Sequence, residues 1–136
     1  MLENLTSYVK VAQSMLPLSV ASGGATEIAV DGTGFDRVCH VLIVGAMAAT
    51  ADIQTSIWES AATGGTYTVV AGTISTIAFA GSEASYELEA PISTAKPFQK
   101  LITTAGTAWS EIAAIAILYN GSGTWPKDQD NTVVSV

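Results

Sequence analysis

Short segments rich in β-branched and aromatic residues run through most of the chain, and turn-forming residues separate them. Gly, Ser, Thr and Pro cluster in these turns at fairly regular spacing. Such a pattern in a 136-residue domain predicts an all-β fold, an antiparallel β-sandwich or jelly roll of about eight strands. The predicted strands are residues 27–30, 37–44, 53–59, 67–71, 74–79, 85–90, 98–103 and 111–119.

The alternation of side chains identifies which strand faces meet water. In segment 85–90, Tyr86 and Leu88 share one face while Glu87 and Glu89 share the other, which indicates a strand with one wet face. Segments 37–44 and 111–119 are apolar on both faces. An Ala-rich helix is the rival interpretation for residues 109–118, but their Ile-Ala pairs and the following turn favour a strand. Two doubly apolar strands predict cover by the N-terminal segment, a long loop or a neighbouring subunit.

The two ends of the chain lack the regular alternation of strands and turns that is found in the middle. Residues 1–24 contain Pro17 and a Ser-Gly-Gly hinge, so we expect an extended N-terminal arm joined flexibly to a sandwich of residues 25–120. Residues 121–136 are expected to form a C-terminal tail. The first residues lack the basic start and apolar stretch of a secretory signal, so we expect synthesis in the cytoplasm without export by that route.

Charge and composition narrow the function classes. Only 12% of the residues are charged, against about 25% in an average soluble domain, while 49% are hydrophobic. A surface with so few charges favours cover by other subunits, and we expect a homo-oligomer. The net charge of -7 argues against nucleic acid and against an anionic membrane as partner, because both require a basic patch.

Residues able to carry chemistry are few. His40 is the only histidine and Cys39 the only cysteine, and strand alternation places these neighbours on opposite faces, so both are expected to be structural and buried. Asp31-Gly32-Thr33-Gly34 is expected to be a tight turn, and Asp128-Gln129-Asp130 part of a solvated tail rather than a calcium loop. We therefore expect no catalytic residue, no metal site and no cofactor, and predict that the chain is not an enzyme.

The carboxylates and tryptophans are expected to form solvated or contact surfaces rather than a catalytic site. Glu83, Glu87 and Glu89 are expected to form a solubilising edge. Trp58 lies inside a predicted strand and is expected in the core, whereas Trp109 and Trp125 flank turns and are better surface candidates. The residues expected to make assembly contacts are Leu16, Leu18, Val20, Trp109, Ile115, Ile117 and Trp125.

Between residue 25 and about residue 119 the order of features resembles the decoration, or cement, proteins of tailed-bacteriophage heads. The resemblance is carried by the turn at 30–36 before an apolar strand, by Ile57-Trp58-Glu59-Ser60 before a Gly-rich turn, and by 96–101 before a last apolar strand. It implies a β-sandwich, often trimeric, that binds the major capsid protein on the outer surface of the virion. The alternative function is a carbohydrate-binding sandwich module or a tail-associated adhesion protein.

Overall fold

Antiparallel strands make up the fold. The structure, a computed structural model, describes residues 9–21, 23–25, 27–106 and 108–120, with Phe79 described by its backbone alone. No helix in these ranges is long and apolar enough to span a membrane. The strands are β1 (Lys10–Val20), β2 (Gly23–Gly24), β3 (Val30–Asp31), β4 (Arg37–Met47), β5 (Asp52–Ser60), β6 (Thr68–Val69), β7 (Ser75–Ala78), β8 (Ala84–Pro91), β9 (Phe98–Ala105) and β10 (Ser110–Tyr119).

Two sheets form the sandwich. The first has the order β1-β10-β4-β8, and the second has the order β2-β9-β5-β6, with β3 also on β9 and β7 also on β5. Since β2 and β3 follow the same edge of β9, they form one interrupted strand, and β6 and β7 do the same along β5. Counting each interrupted strand once gives eight strands in chain order. Their spatial order is 1-8-3-6 in the first sheet and 2-7-4-5 in the second, which is jelly-roll connectivity. The all-β sandwich expected from the sequence is confirmed.

Most predicted strands coincide with observed ones. Residues 67–71 and 74–79 were expected as two strands and are the two halves of the interrupted strand on β5. Of residues 27–30, only Val30 lies in a named strand, while Glu27 forms an isolated bridge to Met15. The Ala-rich segment near the end is strand β10 and not a helix.

The segment expected to be an arm differs most from expectation. Lys10–Val20 is strand β1, which pairs antiparallel with β10 and closes one edge of the first sheet. Pro17 is tolerated because β1 is an edge strand whose register shifts between Met15 and Leu18, and proline is confined to such places in sheets. The expected arm is therefore a structural strand over these residues, while residues 1–8 and the expected tail, 121–136, lie outside the described ranges.

The core lies between the two sheets. Its largest fully buried apolar side chains come from both layers, with Met15, Leu42 and Leu118 on the first sheet and Ile53, Ile57 and Leu101 on the second. The turn at 31–34 closes as expected, because the Asp31 carboxylate accepts a hydrogen bond from the Thr33 amide at 2.9 Å. A Cβ on Gly32 would lie 2.8 Å from Ile92 and 2.9 Å from the Pro97 oxygen, so this turn requires glycine.

Candidate interaction surface

The outer face of the first sheet carries a contiguous set of apolar side chains. Strand pairing places them in rows across the sheet: Val11 beside Ile117 and Cys39 in one row, Ile115 beside Val41 in the next, and Ala113 beside Ile43 in a third. We call this set the outer patch; it comprises Val11, Cys39, Val41, Ile43, Ala113, Ile115 and Ile117.

The outer patch is open to solvent in the described part of the chain. Ile43 is 49% exposed and Ile115 is 37% exposed, and the other members are half-buried. The expected cover by the N-terminal segment does not occur over residues 10–20, because β1 pairs edge to edge with β10 instead of crossing its face. Antiparallel sheets usually present polar residues on a wet face, so this apolar face is the clearest candidate for contact with another molecule.

Acidic residues border the patch on one side. Strand β8 places Glu89 beside Cys39 and Glu87 beside Val41, so two carboxylates end the apolar rows. These carboxylates and burial raise the pKa of the Cys39 thiol, with burial as the larger cause. Cys39 is half-buried on this face and not in the core as expected, because its strand position points outward.

One ion pair fixes a corner of the same face. The Arg37 Nε donates to Glu89 Oε1 at 2.6 Å, and the Tyr119 hydroxyl donates to the same carboxylate. The Tyr119 and Arg37 hydrogen bonds lower the pKa of Glu89, and the pair raises the pKa of Arg37. The carboxylate of Glu89 is therefore already matched by a cation, whereas Glu87 has no cation within ion-pair distance among the described residues.

A groove of about 350 Å³ lies at the end of the outer patch. It is lined by Leu18 of β1, by Ile43 and Gly45 of β4, and by Ala113 of β10. The Glu111 carboxylate reaches into it, with Oε2 only 3.1 Å from where a Cβ on Gly45 would lie. The groove is therefore apolar with one carboxylate at its edge.

His40 lies on the opposite side of β4 from the patch. It is fully buried, and neither ring nitrogen has a hydrogen-bond partner in the protein. Burial lowers its pKa to about 4, so the imidazole is neutral at physiological pH. No group of three His, Cys, Asp or Glu side chains within the described ranges could hold a metal ion. His40 therefore lies on the buried face of β4, the face on which strand alternation placed it.

The tryptophans are placed differently from expectation. Trp58 lies on the outer face of the second sheet, half-buried, and its indole N–H donates to Ser56 Oγ at 2.8 Å. Next to it, Lys100 Nζ lies 4.6 Å from the centre of the Tyr67 ring. Trp109 is exposed beside β10, as expected, and Trp125 lies outside the described residues. The core position expected for Trp58 is not found, because its side chain shares the face of Ser56 and not that of Ile57.

The expected assembly contacts do not all lie on one surface. Ile115 and Ile117 belong to the outer patch, and Leu18 lines the groove at its end. Leu16 is exposed on β1. Val20 is only 5% exposed and packs into the core, so it is unavailable for contact. Val41, Ile43 and Glu111 were not among the expected contacts, although the doubly apolar pattern of β4 pointed to the first two.

Comparisons with known proteins identify no family for this chain. The sequence matches no protein-family model and no curated protein. Among solved structures, it is similar to the CBM22-1-GH10 modules of Clostridium thermocellum endo-1,4-beta-D-xylanase 10B, crystallised with xylohexaose. The TM-score is 0.49 with 9% identity, and the match covers 93% of this chain and 27% of that one. The pairing of its own strands in two sheets defines the chain as a β-sandwich.

Proposed function

We propose that this chain is a non-catalytic structural protein of the phage head-decoration type, which attaches to the outside of a capsid through its outer patch. The observation that supports this is a contiguous run of apolar outward positions in the middle of two adjacent strands, β4 and β10, of a charge-poor sandwich. The exposed side chains of Ile43 and Ile115, with the groove beside them, provide the apolar centre that a protein interface requires.

The trimeric state implied by the resemblance is part of this proposal. The exposed residues Leu16 and Trp109 lie outside the outer patch and provide apolar surface for contacts between copies. Light scattering at tens of micromolar measures the oligomeric state directly, and a strict monomer would remove the trimer from the proposal.

Binding to shells is the decisive experiment. The purified chain is sedimented with expanded shells assembled from the major capsid protein of the same genome, and bound and free fractions are measured. Ile115→Asp is expected to abolish binding, because a carboxylate in the centre of a buried apolar interface is left unpaired. The matched control is Val69→Asp, which changes an exposed apolar residue on β6, at the edge of the second sheet, and is expected to bind normally. Equal binding by both variants, or no binding by the wild type, would refute the proposal.

Carbohydrate binding is a second candidate, favoured by Trp58. Its indole N–H donates to Ser56, two residues earlier on the same face, and this hydrogen bond holds a half-buried aromatic ring on the outer face of the second sheet. Polysaccharide binding followed by tryptophan fluorescence tests this, with Trp58→Ala as the variant and Trp109→Ala as the control. A response that survives Trp58→Ala would exclude this site.

A further inference from the structure

The groove beside the outer patch combines two kinds of recognition. Among its lining residues, the apolar side chains of Leu18 and Ile43 suit contact with an aliphatic or aromatic side chain. The Glu111 carboxylate lines the same groove and is exposed, with no ion-pair partner among the described residues. A carboxylate at the rim of an apolar interface favours a cation on the incoming partner.

Four of the five lysines and arginines of the chain lie in the described ranges, and each of these four contacts another group of the protein; Lys127 lies outside the described ranges. Lys96, in the loop before β9, pairs with Glu59 at 3.2 Å, and Lys100 of β9 pairs with Glu27 at 3.6 Å. Arg37 is held by Glu89. The side chain of Lys10 is largely buried, with its ammonium 3.4 Å from the Asp31 carbonyl oxygen.

The net charge of the chain disfavours a second copy as the occupant of the groove. Two copies meeting through the outer patch would bring together chains of charge -7 and faces bordered by Glu87 and Glu111. Like charges that meet without counter-charges oppose association and suppress the wrong partner. The acidic border therefore disfavours a second copy and favours a partner with complementary charge.

We propose that the groove formed by β1, β10 and β4 is an anchor site for a different protein, and that it takes an apolar side chain adjacent to a lysine or arginine whose cation pairs with Glu111. This inference rests on one part of the proposed function, namely that another protein covers the outer patch. It adds the chemistry of the segment that binds there: a large apolar residue next to a basic one.

Two small probes of equal shape and opposite charge test this without any capsid. 2-Phenylethylamine carries an ammonium where 3-phenylpropanoate carries a carboxylate, and each presents the same benzene ring. Backbone amide NMR shifts of the full chain are followed as each probe is added. Probes of this size bind with dissociation constants on the order of several millimolar, which NMR titration measures.

The amine is expected to shift the amides of Leu18, Ile43, Gly45 and Ala113 and to bind about threefold to tenfold more tightly than the carboxylate, the range that a solvent-exposed ion pair and its repulsive counterpart give. Glu111→Gln should remove this preference while the ring still binds. Asp36→Asn, a control on an exposed carboxylate that precedes the opposite end of β4 and does not line the groove, should keep it. Raising the salt concentration should narrow the preference by screening.

Three results would overturn the inference. Equal binding of the two probes would remove the role of the carboxylate, and shifts located elsewhere or absent would remove the groove. Concentration-dependent shifts of the groove amides without any probe would identify a second copy as the occupant. The NMR spectrum also reports whether each variant is folded. Failure to bind shells with an intact amine preference would refute the decoration role and leave this inference standing.

Discussion

The stability of this protein is expected to fall sharply below neutral pH because of one residue. His40 is fully buried with neither ring nitrogen bonded to another group of the protein, and burial lowers its pKa to about 4. In the unfolded chain an imidazole titrates near pH 6.5. Between these values the unfolded state binds a proton that the folded state does not, so the free energy of unfolding decreases as the pH is lowered. The His40 contribution is fully present above about pH 6.5 and is lost as the pH falls through about 4.

The size of this effect follows from the two pKa values. With 6.5 unfolded and about 4 folded, the loss between pH 7 and pH 5 is about 2 kcal/mol for one group. This is a large share of the roughly 5–15 kcal/mol of a typical domain. Because His40 is the only histidine in the chain, few other groups titrate in this window.

Urea unfolding at pH 7, 6 and 5 measures the effect, with His40→Gln as the variant that lacks the titrating group. The wild type should lose about 2 kcal/mol over this range and the variant should lose much less. His40→Gln should also leave shell binding intact in folded protein. A wild type with the same stability at pH 7 and pH 5, or a variant with the same pH dependence, would refute the reasoning. A variant that is folded and equally stable but inactive would give His40 a functional role.

Two further predictions concern the faces and the edge of the first sheet. Leu42→Ala should lower the free energy of unfolding by about 2–5 kcal/mol, because Leu42 is fully buried. Ile43→Ala, one residue further along β4, should lower it by less than about 1 kcal/mol, because about half of that side chain is exposed to water. Equal losses of stability in thermal or urea unfolding would mean that the outer patch is covered. Deleting residues 1–20 should abolish cooperative unfolding, because it removes β1 with buried Ala12 and Met15 and exposes the edge of β10; a truncated chain with native circular dichroism and a cooperative transition would show that β1 is dispensable.

The alternation of β4 and β10 predicted both of their faces correctly. Val38, Leu42 and Val44 were expected to share one face with His40, and all four are buried. Period-two alternation is a strong signal, because a shift of one residue would move every side chain to the other face. What the sequence could not say is what covers the outward face, since periodicity reports that a residue is apolar and not what it contacts.

Strand β1 was missed for a different physical reason. Its apolar pattern is broken by Pro17, Gln13 and two serines, and two register shifts disturb its alternation. An edge strand needs hydrogen bonds on one side only, so it accepts proline and bulges that a central strand would exclude. The groove was missed too, because its parts come from β1, β4 and β10 and meet only through pairing that is distant in sequence.

On the proposed function, the acidic border gives a physical reason for the outer patch to disfavour association between identical chains through this face. An open apolar face would favour association between identical chains, and proteins oppose such contacts with charges placed around the apolar surface. Glu87 at the end of a row and Glu111 in the groove occupy such positions, while Glu89 is neutralised by Arg37. The same two carboxylates that repel a second copy would attract a basic partner. Self-avoidance and partner choice therefore depend on the same residues, so neutralising Glu111 and Glu87 together should weaken the selectivity for the partner and increase self-association.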